Sequence, residues 1–187
     1  MTKKNGFWIL PGLVLLVTGL SCVTLTRMVE PPTATPPPFP TLAPVPTEYA
    51  VPDEGVTHIQ LGDPGVYEHY PPSSGQHYGQ VFEWGFYEEE VPPEYYVHNL
   101  EHGGIVVLYN CPEACPDIED ALFQFVNHAP AEDVFGEVKI IVSPNAKIES
   151  PVVALAWGWQ LDLPAADPDV LLDFYLRYVN QGPELVP

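Results

Sequence analysis

At 187 residues the chain has room for one ordinary domain with appendages, and a domain of roughly 140 residues is long enough to bury a core of its own. The formal net charge is −19, and from Glu48 onward Lys139, Lys147 and Arg177 are the only basic residues, against 24 acids. That balance excludes nucleic acid and anionic lipid headgroups as partners of the domain.

In chain order, Met1-Thr2-Lys3-Lys4 precedes Phe7 to Thr26, an uncharged and largely apolar run of about the 20 residues that span a hydrocarbon core. Lysines before it predict a cytoplasmic N-terminus and an exported remainder, so residues 1–30 are expected to serve as a signal or membrane anchor. Two versions of the anchor stand side by side. Thr18-Gly19-Leu20-Ser21-Cys22 resembles a bacterial lipobox, which would make Cys22 a lipidation site, whereas Val23 to Thr26 stays uncharged past the cysteine, as an uncleaved transmembrane anchor would. Residues 31–48 are dense in Pro and Thr without apolar periodicity, which predicts an extended, semi-rigid linker. Residues 49–187 then form one extracytoplasmic globular domain.

The domain opens with a stretch, residues 49–92, that is rich in Gly, Pro and Tyr and is expected to wrap irregularly over a scaffold. The scaffold begins with Ile105 to Tyr109, a short apolar run of the kind buried on both faces of a sheet. Asp117 to His128 carries Ile118, Ala121, Leu122, Phe125 and Val126 at helical spacing. Val138 to Val142 and Val152 to Leu161 read as two further strands, the latter with Trp157 and Trp159 on one face, and Pro168 to Val179 as a closing helix. The order β-α-β-β-α predicts an α/β or α+β sandwich. The aromatics Trp84, Phe86, Tyr87, Tyr95 and Tyr96 are expected to form the core of the wrap.

Chemistry concentrates in His98-Asn99-Leu100-Glu101-His102-Gly103-Gly104. His98 and His102 share a face in either regular structure, and Glu101 joins them only in a helix. Pro92 and Pro93 suit the start of such a helix and Gly103 its left-handed end. Imidazoles on one face are common metal ligands, so His77, His98, Glu101 and His102 are the expected metal site, with copper or zinc as cofactor. His58 and His69 are further candidates, and His128 sits where a helix end would attract its charge. The same segment matches H-x-x-E-H, but zinc peptidases of that type need a long helix, and here two glycines and a strand follow at once. No nucleotide loop, nucleophile elbow or complete set of general base, nucleophile and oxyanion donor can be assembled, so a binding role is expected rather than catalysis.

The second constellation is Cys111-Pro112-Glu113-Ala114-Cys115-Pro116. In an exported protein the pair is expected to form a disulfide or, alternatively, to bind metal through its sulfurs. Locally it resembles the C-P-x-x-C-P turn of the copper chaperones that serve cytochrome oxidase, a resemblance that implies copper transfer.

Three separated blocks resemble the bacterial domain-of-unknown-function family numbered 3105: Pro71-Pro72-Ser73-Ser74-Gly75-Gln76-His77-Tyr78, Trp84-Gly85-Phe86-Tyr87, and Val97 to Gly104 with its following strand. The likeness covers about residues 55–182. Ser73 and Gln76 depart from the family's usual Pro-Pro-Thr-Ser-Gly-Pro-His block while leaving His77 in place. The resemblance implies a membrane-associated exported domain with a His77, His98, Glu101, His102 signature, and it implies no activity. Partners in keeping with this reading are the membrane itself, through the anchor, and a membrane protein complex that the domain would join as a structural subunit.

Overall fold

Why the run Ile105 to Tyr109 is apolar on every residue is answered by what lies on each side of it. The computed structural model describes residues 44–187, so the expected anchor, Cys22 and most of the linker fall outside the described residues. Within them, six strands form one mixed sheet. Strand β1 (Thr47–Ala50) lies at one edge and β4 (Gly85–Phe86) at the other, while β5 (Ile105–Tyr109), β6 (Ile140–Pro144), β7 (Val152–Ala156) and β8 (Trp159–Leu163) fill the middle in the order β1-β8-β7-β5-β6-β4. Parallel pairing joins β5 to β6 and β6 to β4; the other neighbours are antiparallel. A separate parallel pair is formed by β2 (His58–Ile59) and β3 (His77–Tyr78).

Alternation along the strands divides the core in two. Ile105, Val107 and Tyr109 face helices α2 (Pro116–His128) and α3 (Pro168–Tyr178), meeting Leu122, Phe125, Leu171, Phe174 and Tyr175. Val106 and Leu108 face the opposite way, toward Tyr96, Val97 and Leu100 of helix α1 (Pro93–Glu101), with Tyr95 of the same helix and Tyr67, Phe82, Trp84 and Tyr87 of the wrap packed around them. The described residues therefore form a three-layer α/β sandwich, and the wrap with α1 makes one of the outer layers.

Two expectations change in detail. The run Val152 to Leu161 is not one strand but a hairpin, with Ala156 opposite Trp159 and the chain reversing through Trp157 and Gly158. Gly158 sits at φ +69°, a left-handed conformation that glycine adopts without steric cost, and the reversal sends Trp157 and Trp159 to different surroundings. The second central strand starts at Ile140 rather than Val138, since the Ile140 N–H turns back to the Val138 carbonyl at 3.0 Å, and Lys139 between them is buried with its ammonium on the carbonyls of His102 and Val186. One sheet edge, β4, comes from the segment expected to be irregular, and the other, β1, straddles the junction of that segment with the proline-rich stretch. The last two residues of the proline-rich stretch already pair in β1, where Glu48 takes two hydrogen bonds of 2.7 Å from the Arg177 guanidinium.

Cys111 and Cys115 are joined as a disulfide across the turn from β5 into α2. The loop is short, so loop-closure entropy limits its contribution to about 2 kcal/mol. Cys111→Ser/Cys115→Ser is expected to lower the melting temperature by no more than about 4–8 °C, as read by calorimetry.

Between α2 and β6 a single carboxylate organises the connection. Glu132 accepts hydrogen bonds from the backbone N–H groups of Val134, Phe135 and Glu137 and from the Asn180 side-chain amide at 2.6–3.2 Å. Burial works against its ionisation, but those donors prevail and hold its pKa down at about 2. A folded-state pKa below the unfolded value gives stability that is present above about pH 4.5 and is lost as pH falls toward 2. Glu132→Gln is expected to remove that part of the acid dependence. Chemical denaturation of both proteins at pH 7 and pH 3 should show the gap between them narrowing at the lower pH.

Candidate metal centre

Helix α1 is laid down as its sequence suggests. Pro92 occupies the N-cap and Pro93 the first helical position, where a missing N–H costs nothing. Its end is a Schellman motif: Gly104 N–H donates to the Asn99 carbonyl at 2.8 Å and Gly103 N–H to the Leu100 carbonyl at 2.9 Å, with Gly103 at φ +75°. Gly104 is small for a second reason, since a Cβ there would lie 2.5 Å from the Trp84 ring. On the helix, Asn99 clamps the wrap by accepting from Phe82 N–H at 2.9 Å and donating to the Phe82 carbonyl at 2.8 Å.

The opposite wall comes from the wrap. His58 and His77 are register partners in the β2–β3 pair, so both imidazoles project on one side, 4.7 Å apart between ring centres. The turn ahead of His77 is fixed by Gly75, whose N–H donates to the Gly55 carbonyl, and by Ser74, whose hydroxyl accepts from Glu54 N–H. The Gly75 carbonyl then receives His77 Nδ1–H at 2.9 Å, which orients the ring and turns Nε2 inward to within 3.0 Å of Glu101 Oε2.

Three imidazole nitrogens converge on one oxygen. From Glu101 Oε2, His77 Nε2 lies at 3.0 Å, His58 Nε2 at 3.6 Å and His98 Nδ1 at 3.6 Å. Ligand atoms of the four residues all fall within 4.8 Å of one another, close enough to hold a metal ion. Metal–ligand bonds of about 2.0–2.1 Å in a tetrahedron place neighbouring ligand atoms about 3.3–3.4 Å apart, and the observed spacings bracket that edge. Two of the contacts are too long for hydrogen bonds yet suited to a shared cation.

The electrostatics also ask for positive charge. Glu101 is 2 % exposed and sits at the C-terminal end of α1, where the helix dipole disfavours a carboxylate, and among the described residues no Lys or Arg pairs with it. His98 Nδ1 is buried without a hydrogen-bond partner. Burial, reinforced by neighbouring His102, His77 and His58, pushes the His98 pKa down to about 4, so the ring stays neutral with a lone pair available. The His58 side chain, about half exposed, marks the side from which the cluster meets solvent.

Of the residues expected from the sequence, His77, His98 and Glu101 come together here. His102 lies at the end of the helix with its ring 4.5 Å from that of His98, but its Nδ1 is 3.0 Å from the main-chain oxygen of Pro187 and its Nε2 faces Glu184. His69 bonds to Gln160 and His128 to the Gln124 carbonyl, both away from the cluster. In their disulfide the cysteines present no thiolate to a metal.

A family described as Protein of unknown function (DUF3105) matches residues 58–186. The chain belongs to the DUF3105 family. The match opens on His58 itself, so the DUF3105 region contains all four residues of the cluster. No curated protein and no solved structure matches the chain. His58 is the member of the cluster that sequence reasoning left among the minor candidates. The available signal was that both His58 and His77 directly precede a residue able to enter a strand, in two blocks rich in turn residues.

Proposed function

We propose that this DUF3105 protein is a metal-binding domain tethered at the extracytoplasmic face of a membrane, holding copper or zinc through His58, His77, His98 and Glu101. The observation that carries the reading is the convergence of three imidazole nitrogens on one buried carboxylate oxygen that no Lys or Arg neutralises among the described residues. Three borderline nitrogen donors with one oxygen suit Zn(II) or Cu(II), and the absence of sulfur from the set argues against a Cu(I) preference. Four protein ligands complete a tetrahedral shell, which favours holding a metal over turning a substrate. The residues themselves supply the rest: the Gly75 carbonyl orients His77, and the packed face of α1 keeps His98 and Glu101 fixed before any ion arrives.

The N-terminal apolar run behind Lys3 and Lys4 supports the tethered placement, and the disulfide supports an oxidising compartment. The acidic surface would concentrate cations near the domain.

The test is metal content by plasma mass spectrometry on the full-length protein in detergent, incubated with zinc or copper and desalted. Metal retained by wild type and by Cys111→Ser/Cys115→Ser, but lost from His77→Ala/His98→Ala, is the expected result. Metal lost only from the cysteine variant would move the site to the turn. If folded wild type retains none, the better account is an interaction subunit whose histidines lock the wrap onto the sheet.

A further inference from the structure

Glu101 belongs to two groups of potential ligands, not one. A carboxylate oxygen of Glu101, a ring nitrogen of His102 and a carboxylate oxygen of Glu184 also lie within 4.8 Å of one another. We infer that the protein binds a second divalent cation at Glu101, His102 and Glu184, with the Glu101 carboxylate bridging the two ions. The inference rests on the metal reading of the His58, His77, His98 and Glu101 cluster.

Three features of the second group point to coordination. His102 is 8 % exposed, and its Nδ1–H is directed to the main-chain oxygen of Pro187 at 3.0 Å. That contact leaves Nε2 facing Glu184 Oε2, much as the Gly75 main-chain oxygen orients His77 in the first group. The Nε2 to Oε2 distance of 3.7 Å is too long for a hydrogen bond but close to the spacing of two ligands on one ion. The tail that carries Glu184 is also held in place: Asn180 N–H donates to the Gly103 carbonyl at 2.8 Å and Glu184 N–H to the Glu101 carbonyl at 3.1 Å. The rings of His98 and His102, one from each group, are tilted at 49° with their centres 4.5 Å apart, so the two positions are immediate neighbours.

The two positions differ in kind. The first has four protein ligands and is closed, whereas the second has three and Glu184 is about half exposed, so an ion there keeps a coordination position for water. Bridged metal pairs lie about 3.5–4 Å apart, a separation one carboxylate can span with its two oxygens.

The experiment is equilibrium dialysis of the full-length protein in detergent against zinc, with bound metal counted per chain. Wild type is expected to bind about two zinc ions, and Glu184→Gln and His102→Ala about one each, the remaining ion being lost on His77→Ala/His98→Ala. Glu184→Gln alters an exposed side chain and leaves the backbone bonds of the tail intact, so it should fold. In the copper-loaded protein, paramagnetic resonance should give a coupled signal for wild type and an isolated Cu(II) signal for Glu184→Gln. One zinc in wild type, or two that survive in Glu184→Gln, overturns the second position and leaves the first standing. No zinc in folded wild type overturns both.

Discussion

Zinc at a hundredfold excess over its dissociation constant is expected to raise the melting temperature of the protein by about 5–11 °C. A ligand that binds only the native state at that excess contributes about 2.7 kcal/mol, and each kcal/mol moves a domain of this size by about 2–4 °C. The unfolded chain holds the cluster's ligands on segments far apart, because His58 and His77 come from the wrap and His98 and Glu101 from α1. His77→Ala/His98→Ala should abolish the shift, and its affinity for zinc should fall by more than the 10–100-fold typical of losing an outer-shell partner. Without metal the same variant should melt somewhat below wild type. His98 Nδ1 has no partner to lose, but His77 is fully buried and gives up its 2.9 Å bond to the Gly75 carbonyl and its 3.0 Å contact with Glu101. Scanning calorimetry with and without zinc separates these outcomes. A variant that is far less stable even without metal, and still responds to zinc, would show that the imidazoles are a structural lock.

The second large effect is expected at Gly182. A Cβ there would overlap the Glu101 carbonyl, lie close against Gly103 N and sit 2.7 Å from the Leu100 carbonyl, all of them backbone atoms in the last turn of α1. Backbone of a helix end cannot yield as a flexible side chain can, so the tail must lift. Gly182→Ala is expected to cost about 3 kcal/mol, at the upper end for overpacking, and to lower the melting temperature by about 6–12 °C. Lifting the tail also removes the Val186 carbonyl from the buried Lys139 ammonium and the Pro187 oxygen from His102. Hydrogen exchange should show faster opening of Asn180 and Glu184 amides, whose acceptors are at Gly103 and Glu101, while β5 stays protected. A variant of wild-type stability would mean that the tail does not hold its place against α1.

Central strands, two helices and the fold class were legible because each is encoded locally. Ile105 to Tyr109 is apolar throughout since it is covered on both faces, and α2 and α3 carry their buried stripe at helical spacing. The hairpin at Trp157 and Gly158 was hidden because the apolar run passes through the turn without interruption, and glycine in a strand pattern does not by itself announce a reversal. For the site, the helix and its two glycines placed His98 beside Glu101. His58 was harder to find. Strand β2 has two residues, too few for periodicity, and its pairing with β3 is a tertiary fact. His102 follows from the four-residue spacing as far as ring proximity, but the helix closes at Glu101, and what its imidazole meets depends on a tail more than 80 residues later.

Strand β1 finds its partner in β8, pairing Thr47 with Asp162 and Ala50 with Trp159, so the edge laid down first waits for a hairpin near the end of the chain. Nothing local can hold β1 in the meantime, and long-range pairings of this sort slow folding because the intervening chain must be closed first. Cys111 and Cys115 are close in sequence and can meet early as the chain is made, whereas the sheet is completed only once Leu163 is free. The wrap histidines emerge earliest and are seated late, and until α1 is packed they are loose ligands on an open chain. On the proposed reading, metal capture would come late in maturation, once the wrap has been seated against α1.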